Sequence, residues 1–140
     1  MYYLDTSVIA AYYCPEPLSD KAEPFLIADN RPAISSLTEL ELFSAISRKV
    51  REGNLNKQSA GRILAAFLSH LDNQLYIVIP VDGRHYRLAR DWIGLLNNSL
   101  RSLDALHLAV TSIEDRSIVT SDHGLARSAR ALGVNAVLLK

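Results

Sequence analysis

The stretch LYIVIPV (75–81) is an unbroken apolar run in the middle of the chain. A continuously apolar strand is typical of a parallel sheet that is covered on both faces. Helical patterns flank this run on both sides, over 56–71 and 83–96. The stretch therefore predicts a buried strand between two helices, which is the arrangement of an α/β protein.

The same alternation of strand and helix extends along the whole chain. Strands are predicted at 2–5, 31–36, 75–81, 117–120 and 135–139. Helices are predicted at 8–13, 19–29, 37–51, 56–71, 83–96, 102–110 and 121–132. Pro24 is expected to kink the second of these or to begin a fresh turn. Strands that alternate with helices imply parallel pairing, so we expect one domain over 1–140. Its predicted fold is a three-layer α/β/α sandwich with a mostly parallel central sheet.

Composition narrows the class of protein. The chain has 140 residues, of which 49% are hydrophobic and 21% charged, which is typical of a soluble globular protein. No apolar run approaches the about 20 residues that cross a bilayer. The opening MYYLDTSVIAAYY contains Asp5 and no basic residue, so we do not expect a signal peptide or a membrane association. Cys14 is the only cysteine, which excludes an internal disulfide and favours the reducing cytoplasm.

Four acidic residues fall at predicted strand ends or in the helices that follow. Asp5 ends the first strand, Asp122 follows the fourth, and Asp104 opens the helix before it. Glu41 lies near the start of the helix after the second strand. In open parallel sheets, ligands bind beyond the carboxyl ends of the strands. Each acid alone is better explained as a helix cap or a surface residue. Together they would repel one another unless a cation lay between them, and Mg²⁺ and Mn²⁺ prefer oxygen ligands.

Two histidines lie beside these acids. His107 follows Asp104 by about one helical turn within the apolar stretch SLDALHLAV (102–110). It could be a ligand or an acid–base group, but its apolar neighbours favour a buried, hydrogen-bonded structural role. His123 is expected to be exposed and is a weak candidate.

Several motifs resemble those of the PIN-domain proteins, specifically the toxin ribonucleases of VapBC-type toxin–antitoxin pairs. The matching motifs are YYLDTSVIAAYY (2–13), ISSLTELELFSAISRK (34–49), LRSLDALHLAVT (100–111) and IVTSDHGLARSARALG (118–133). They occur in the family's order and at its usual spacing, so the resemblance covers essentially the whole chain.

This resemblance implies a role for each acid. Asp5, Glu41, Asp104 and Asp122 match the family's first to fourth catalytic, metal-binding acids. Glu39 competes with Glu41, and the alignment through SSL favours Glu41. The polar residues that match groups orienting carboxylates and waters are Thr6, Ser7 and Thr120.

The resemblance also implies an activity. It indicates an endonuclease that hydrolyses RNA phosphodiester bonds with one or two Mg²⁺ or Mn²⁺ ions. It further implies a homodimer and a small antitoxin partner. The alternative within the family is a PIN-type module that binds RNA or protein without nuclease activity.

Two other α/β classes fit the sequence poorly. A phosphoacceptor signalling domain needs a pair of acids near the first strand and a lysine after a late strand. The chain has a lone Asp5 there, and its only late lysine is Lys140. A haloacid-dehalogenase-type phosphatase needs an aspartate two residues after the first, where this chain has Ser7.

Overall fold

The computed structural model describes residues 1–27 and 31–140. The end of the predicted helix 19–29 lies outside the described residues. In chain order the elements are β1 (Tyr2–Leu4), α1 (Thr6–Tyr13), α2 (Ser19–Leu26), β2 (Ala33–Ser35), α3 (Ser36–Arg51), α4 (Lys57–Asp72), β3 (Ile77–Ile79), α5 (Gly83–Ile93), α6 (Ser102–Ile113), β4 (Ser117–Thr120), α7 (His123–Ala131) and β5 (Ala136–Leu138).

The strands form one five-stranded sheet in the order β3-β2-β1-β4-β5. Every strand pairing is parallel. The crossover helices satisfy the requirement that parallel strands be joined by long connections. The predicted α/β fold with a parallel sheet is confirmed.

Alternate residues of the central strands enter two different cores. Leu4 of β1 and Val119 of β4 pack with α1 to α4 on one face of the sheet. Tyr3 and Ile118, their neighbours along the same strands, pack with α6 and α7 on the other face. Successive strand residues point to opposite faces, so this pattern establishes the predicted three layers.

The stretch 75–81 differs in part from its prediction. Only Ile77–Ile79 is strand, and it lies at the edge of the sheet. Val78 is 39% exposed, so the strand is not covered on both faces. Beyond the strand, the Val81 N–H donates to Ser36 Oγ at the start of α3, at 3.1 Å.

Several helices begin or end at other residues than predicted; α6, for example, ends at Ile113 rather than at residue 110. Pro24 lies inside α2. The predicted helix 83–96 stops at Ile93, and Leu96 has a left-handed backbone with φ of 60°. None of the helices in the described parts of the chain is both long and apolar enough to span a membrane.

Two leucines of α6 test the placement of this helix. Leu108 is fully buried in the core beneath the sheet, whereas Leu103 on the same helix is 47% exposed. We expect Leu108→Ala to lower the free energy of unfolding by about 2–5 kcal/mol, because it leaves a cavity. The matched variant Leu103→Ala should change it by less than about 1 kcal/mol. Urea denaturation measures both values, and equal losses would contradict the assigned packing.

Candidate functional site

The acids lie at the point where the chain stops adding strands on one side of β1 and begins adding them on the other. From β1 the chain adds β2 and β3 on one side, then crosses to place β4 on the other side of β1. The carboxyl ends of β1 and β4 are therefore neighbours, and the Asp5 N–H donates to the Val119 carbonyl at 3.0 Å. Such a switch point is the usual ligand site of an open α/β sheet.

The Asp5 side chain is buried and held by two hydroxyls. Only 7% of the residue is exposed. Ser7 Oγ donates to Asp5 Oδ2 at 2.7 Å, and Thr120 Oγ1 donates to the same oxygen at 2.8 Å. Asp5 occupies the backbone N-cap position of α1, but its side chain makes no capping hydrogen bond. The interpretation of Asp5 as a helix cap is therefore wrong.

The same hydroxyls position the loop that follows β4. Ser7 Oγ accepts from the Ser121 N–H at 3.1 Å, and Thr120 Oγ1 accepts from the Asp122 N–H at 3.0 Å. Asp122 then caps α7, because its Oδ1 accepts from the Leu125 N–H at 3.1 Å. The start of α1 and the start of α7 are thus joined around one carboxylate.

Glu41 reaches this group from α3. Its Oε1 accepts from Thr6 Oγ1 at 2.7 Å and is hydrogen-bonded to His107 Nε2. In the described chain no hydrogen bond or ion pair joins Glu39 to these residues. The two glutamates are two positions apart on one helix, so they point to different sides of it. The structure brings Glu41 to the site, in agreement with the preference for Glu41.

His107 connects the acids to the core beneath them. Its ring is 1% exposed, as expected for a structural histidine. Its Nε2 lies 4.0 Å from Asp5 Oδ1, and its Nδ1 is hydrogen-bonded at 2.5 Å to the buried Tyr3 hydroxyl. That hydroxyl also contacts Ser35 Oγ at 2.8 Å. The hydrogen bond between His107 and Glu41 was not predicted from the sequence.

Burial, hydrogen bonds and neighbouring charges shift the pKa values of Asp104, Glu41 and His107. Burial raises the pKa of the Asp104 carboxyl, and the charges of Asp5, Asp122 and Glu41 raise it further. Burial alone would raise the pKa of Glu41, but the hydrogen bond and charge of His107 outweigh it and lower that pKa. Burial would also lower the pKa of His107, yet its bond to Glu41 and the surrounding carboxylates raise it. The four acids therefore form one electrostatically coupled group with a single buried histidine.

This donor set fits a hard divalent cation in its chemistry. Carboxylate oxygens are the ligands that Mg²⁺ and Mn²⁺ prefer, and a cation would offset the repulsion that raises the pKa of Asp104. Within residues 1–27 and 31–140, no three acidic, histidine or cysteine side chains converge closely enough to hold an ion as they stand. The ligand types of the site thus suit a divalent ion, but the side chains do not already converge on one ion position.

Comparisons with known proteins identify the family. The PIN domain model matches residues 2–131, so the chain belongs to the PIN domain family. It is 32% identical over 135 residues to Ribonuclease VapC46 of Mycobacterium tuberculosis, covering 94% of this chain and 92% of that protein.

Solved structures share the fold at lower identity. VapC20 of Mycobacterium tuberculosis, a toxin that cleaves the sarcin–ricin loop, superposes with a TM-score of 0.72 at 17% identity, covering 91% of this chain and 95% of that one. VapBC2 of Rickettsia felis, bound to a promoter DNA fragment, gives a TM-score of 0.72 at 17% identity, covering 99% and 98%. These likenesses support the fold.

Removing the charge of Asp104 tests the electrostatic coupling. We expect Asp104→Asn to raise the free energy of unfolding at neutral pH in EDTA, by up to about 1 kcal/mol, because it relieves repulsion in a partly exposed position. Because the folded-state pKa of Asp104 is raised, this gain should shrink as the pH falls and the wild-type carboxyl becomes protonated.

Asp91 offers the matched control. Its exposed carboxylate pairs with Arg90 at 3.0 Å, so Asp91→Asn should give no gain. Urea denaturation of the three proteins measures the effect. A loss of stability in Asp104→Asn would contradict the repulsion.

Proposed function

We propose that this protein is a divalent-metal-dependent endoribonuclease that hydrolyses RNA phosphodiester bonds. The observation that carries the proposal is the buried Asp5 carboxylate. Two hydroxyls hold it in place, and it makes no capping hydrogen bond to α1. The similarity to Ribonuclease VapC46 over 94% of the chain supports RNA as the substrate class.

In this proposal the four acids hold one or two Mg²⁺ or Mn²⁺ ions. Asp5, Glu41, Asp104 and Asp122 supply the ligands. When bound, the ion activates a water and offsets the charge that develops on the scissile phosphate.

Neighbouring side chains orient the carboxylates of Asp5 and Glu41. Ser7 and Thr120 fix the rotation of the Asp5 carboxylate through one oxygen. Thr6 holds Glu41 from the start of α1. His107 favours the ionised form of Glu41 through its hydrogen bond and its charge. Hydrogen-bonded partners of this kind orient metal ligands.

We further propose that the protein is a cytoplasmic toxin with a small antitoxin partner, and that it forms a homodimer. The resemblance of the motifs to VapBC-type toxins supports this. So does the likeness in fold to the VapBC2 complex. The antitoxin would keep the nuclease inactive until it is removed.

A PIN-type binding module without nuclease activity is the second candidate. One observation favours it: no three potential ligands in the described residues converge tightly enough to hold an ion as they stand. In that case the acids would be a remnant, and the chain would bind RNA or protein without cleaving it.

Charge-removing variants test the nuclease. We expect Asp5→Asn and Asp104→Asn each to lose Mg²⁺-dependent cleavage of RNA by about 100-fold or more while remaining folded, because each removes a metal ligand. Cleavage of a total RNA preparation, followed on gels across a range of Mg²⁺ concentrations, measures the loss. Asp91→Asn, whose exposed carboxylate pairs with Arg90, should cleave like the wild type. Full cleavage by folded Asp104→Asn at sub-saturating Mg²⁺ would contradict the assignment.

A further inference from the structure

A groove leads away from the acids between α7 and the loop before α6. Its first part has a volume of about 280 Å³ and is lined by Asp104 and Asp122 among others. Its second part, of about 350 Å³, is lined by Asn97 and Arg127 among others. The residues that line both parts are Ser99, Gly124 and Ser128. The two parts are therefore continuous, and the groove opens directly onto the acid group.

The chemistry of the groove changes along its length. At the acid end the lining includes Asp104 and Asp122 together with Arg101, whereas further along it includes Arg127. The hydroxyl residues Ser99 and Ser128 line both parts. Both arginines are exposed. Within the described chain, neither forms an ion pair with a carboxylate. Cations and hydroxyls in a row are the groups that contact a nucleic-acid backbone.

The loop that forms one wall is held in a defined shape. The Asn98 side-chain amide donates to the Trp92 carbonyl at 3.0 Å, and Asn98 Oδ1 accepts from the Leu100 N–H at 3.1 Å. These two hydrogen bonds tie Asn98 to Trp92 on one side and to Leu100 on the other. The neighbouring Asn97 lines the groove, and its Oδ1 accepts from the Asn98 amide at 3.3 Å. Its own side-chain N–H groups can donate to a base edge.

Gly124 lines both parts of the groove. A Cβ added at this position would lie 3.2 Å from Asp122 Oδ1, closer than most real contacts of a Cβ. It would also lie 3.9 Å from Arg127 Nη2. Gly124 thus lies beside both Asp122 and Arg127, where a larger side chain would crowd the lining.

We propose that this groove binds the single-stranded RNA segment that adjoins the scissile phosphate, with Arg127 as a positioning residue that contacts a backbone phosphate. The proposal rests on the proposed function and adds the path of the substrate. A single strand fits because its bases are free to reach the Asn97 amide, whereas bases in an RNA duplex are paired and hidden in a narrow groove.

Binding measurements test the role of Arg127 independently of cleavage. The probe is a fluorescein-labelled, random-sequence single-stranded RNA, titrated in EDTA and followed by fluorescence anisotropy over a range of salt. We expect Arg127→Gln to weaken binding by about 3–10-fold and to reduce the slope of log K against log salt by about 0.7, as for one lost phosphate contact to a single strand.

Arg130 on the same helix provides the matched control. It is exposed and does not line the groove, and its Nη2 donates to the Ala136 carbonyl. Arg130→Gln should leave both the affinity and the slope unchanged. Unchanged binding in Arg127→Gln, or an equal loss in Arg130→Gln, would overturn the proposal. Circular dichroism confirms that both variants are folded.

Photo-crosslinking locates the RNA directly. With a thiouridine-substituted version of the same RNA, we expect crosslinked peptides from residues 95–101 and from α7. Crosslinks confined to other elements, such as α3 and α4, would overturn the proposal.

The two proposals fail separately. If the wild type binds RNA with the expected dependence on Arg127 but does not cleave it with Mg²⁺ or Mn²⁺, the groove stands and the nuclease fails. If the wild type cleaves RNA and Arg127→Gln binds and cleaves equally well, the nuclease stands and the groove fails.

Discussion

The site depends on one buried carboxylate at the end of the central strand. Asp5 lies where β1 and β4 emerge side by side, and the hydroxyls of Ser7 and Thr120 hold its Oδ2 from two different segments of the chain. The parallel sheet makes this meeting possible, because only parallel neighbours bring their carboxyl ends to the same edge. The other acids are arranged around this fixed point by helices whose apolar faces are anchored in the two cores.

The four acids of the site repel one another electrostatically. Burial and the charges of Asp5, Asp122 and Glu41 raise the pKa of Asp104. His107 offsets part of the repulsion through Glu41, and Tyr3 and Ser35 connect that histidine to the core. Groups held in an unfavourable arrangement are common at functional sites, where activity is retained at the expense of stability. The acid group of this protein is consistent with that pattern.

The layered fold was predictable from the sequence because it follows from local patterns. Apolar runs and helical spacing determine which segments are strands and helices, and their alternation implies a parallel sheet. Because ligands bind beyond the carboxyl ends of parallel strands, Asp5 and Asp122 could be predicted as site residues. The exposed edge at Val78 was not predictable, because strand order depends on contacts between distant segments.

The link between His107 and Glu41 was missed for a similar reason. His107 lies three residues after Asp104, which places both on one side of α6 and was the available signal. Apolar neighbours explained the histidine equally well, and its partner lies 66 positions away in sequence. The groove beside α7 could not be predicted from a pattern in the sequence, because its wall is an irregular loop held by the Asn98 side chain.

Divalent-metal binding by the isolated protein tests the central claim, that the acid group is a cation site. Isothermal titration calorimetry with Mn²⁺ and Mg²⁺ should show uptake by the wild type and a loss of uptake in Asp5→Asn, with both proteins folded. Absence of uptake by the wild type, or equal uptake by folded Asp5→Asn, would contradict the account.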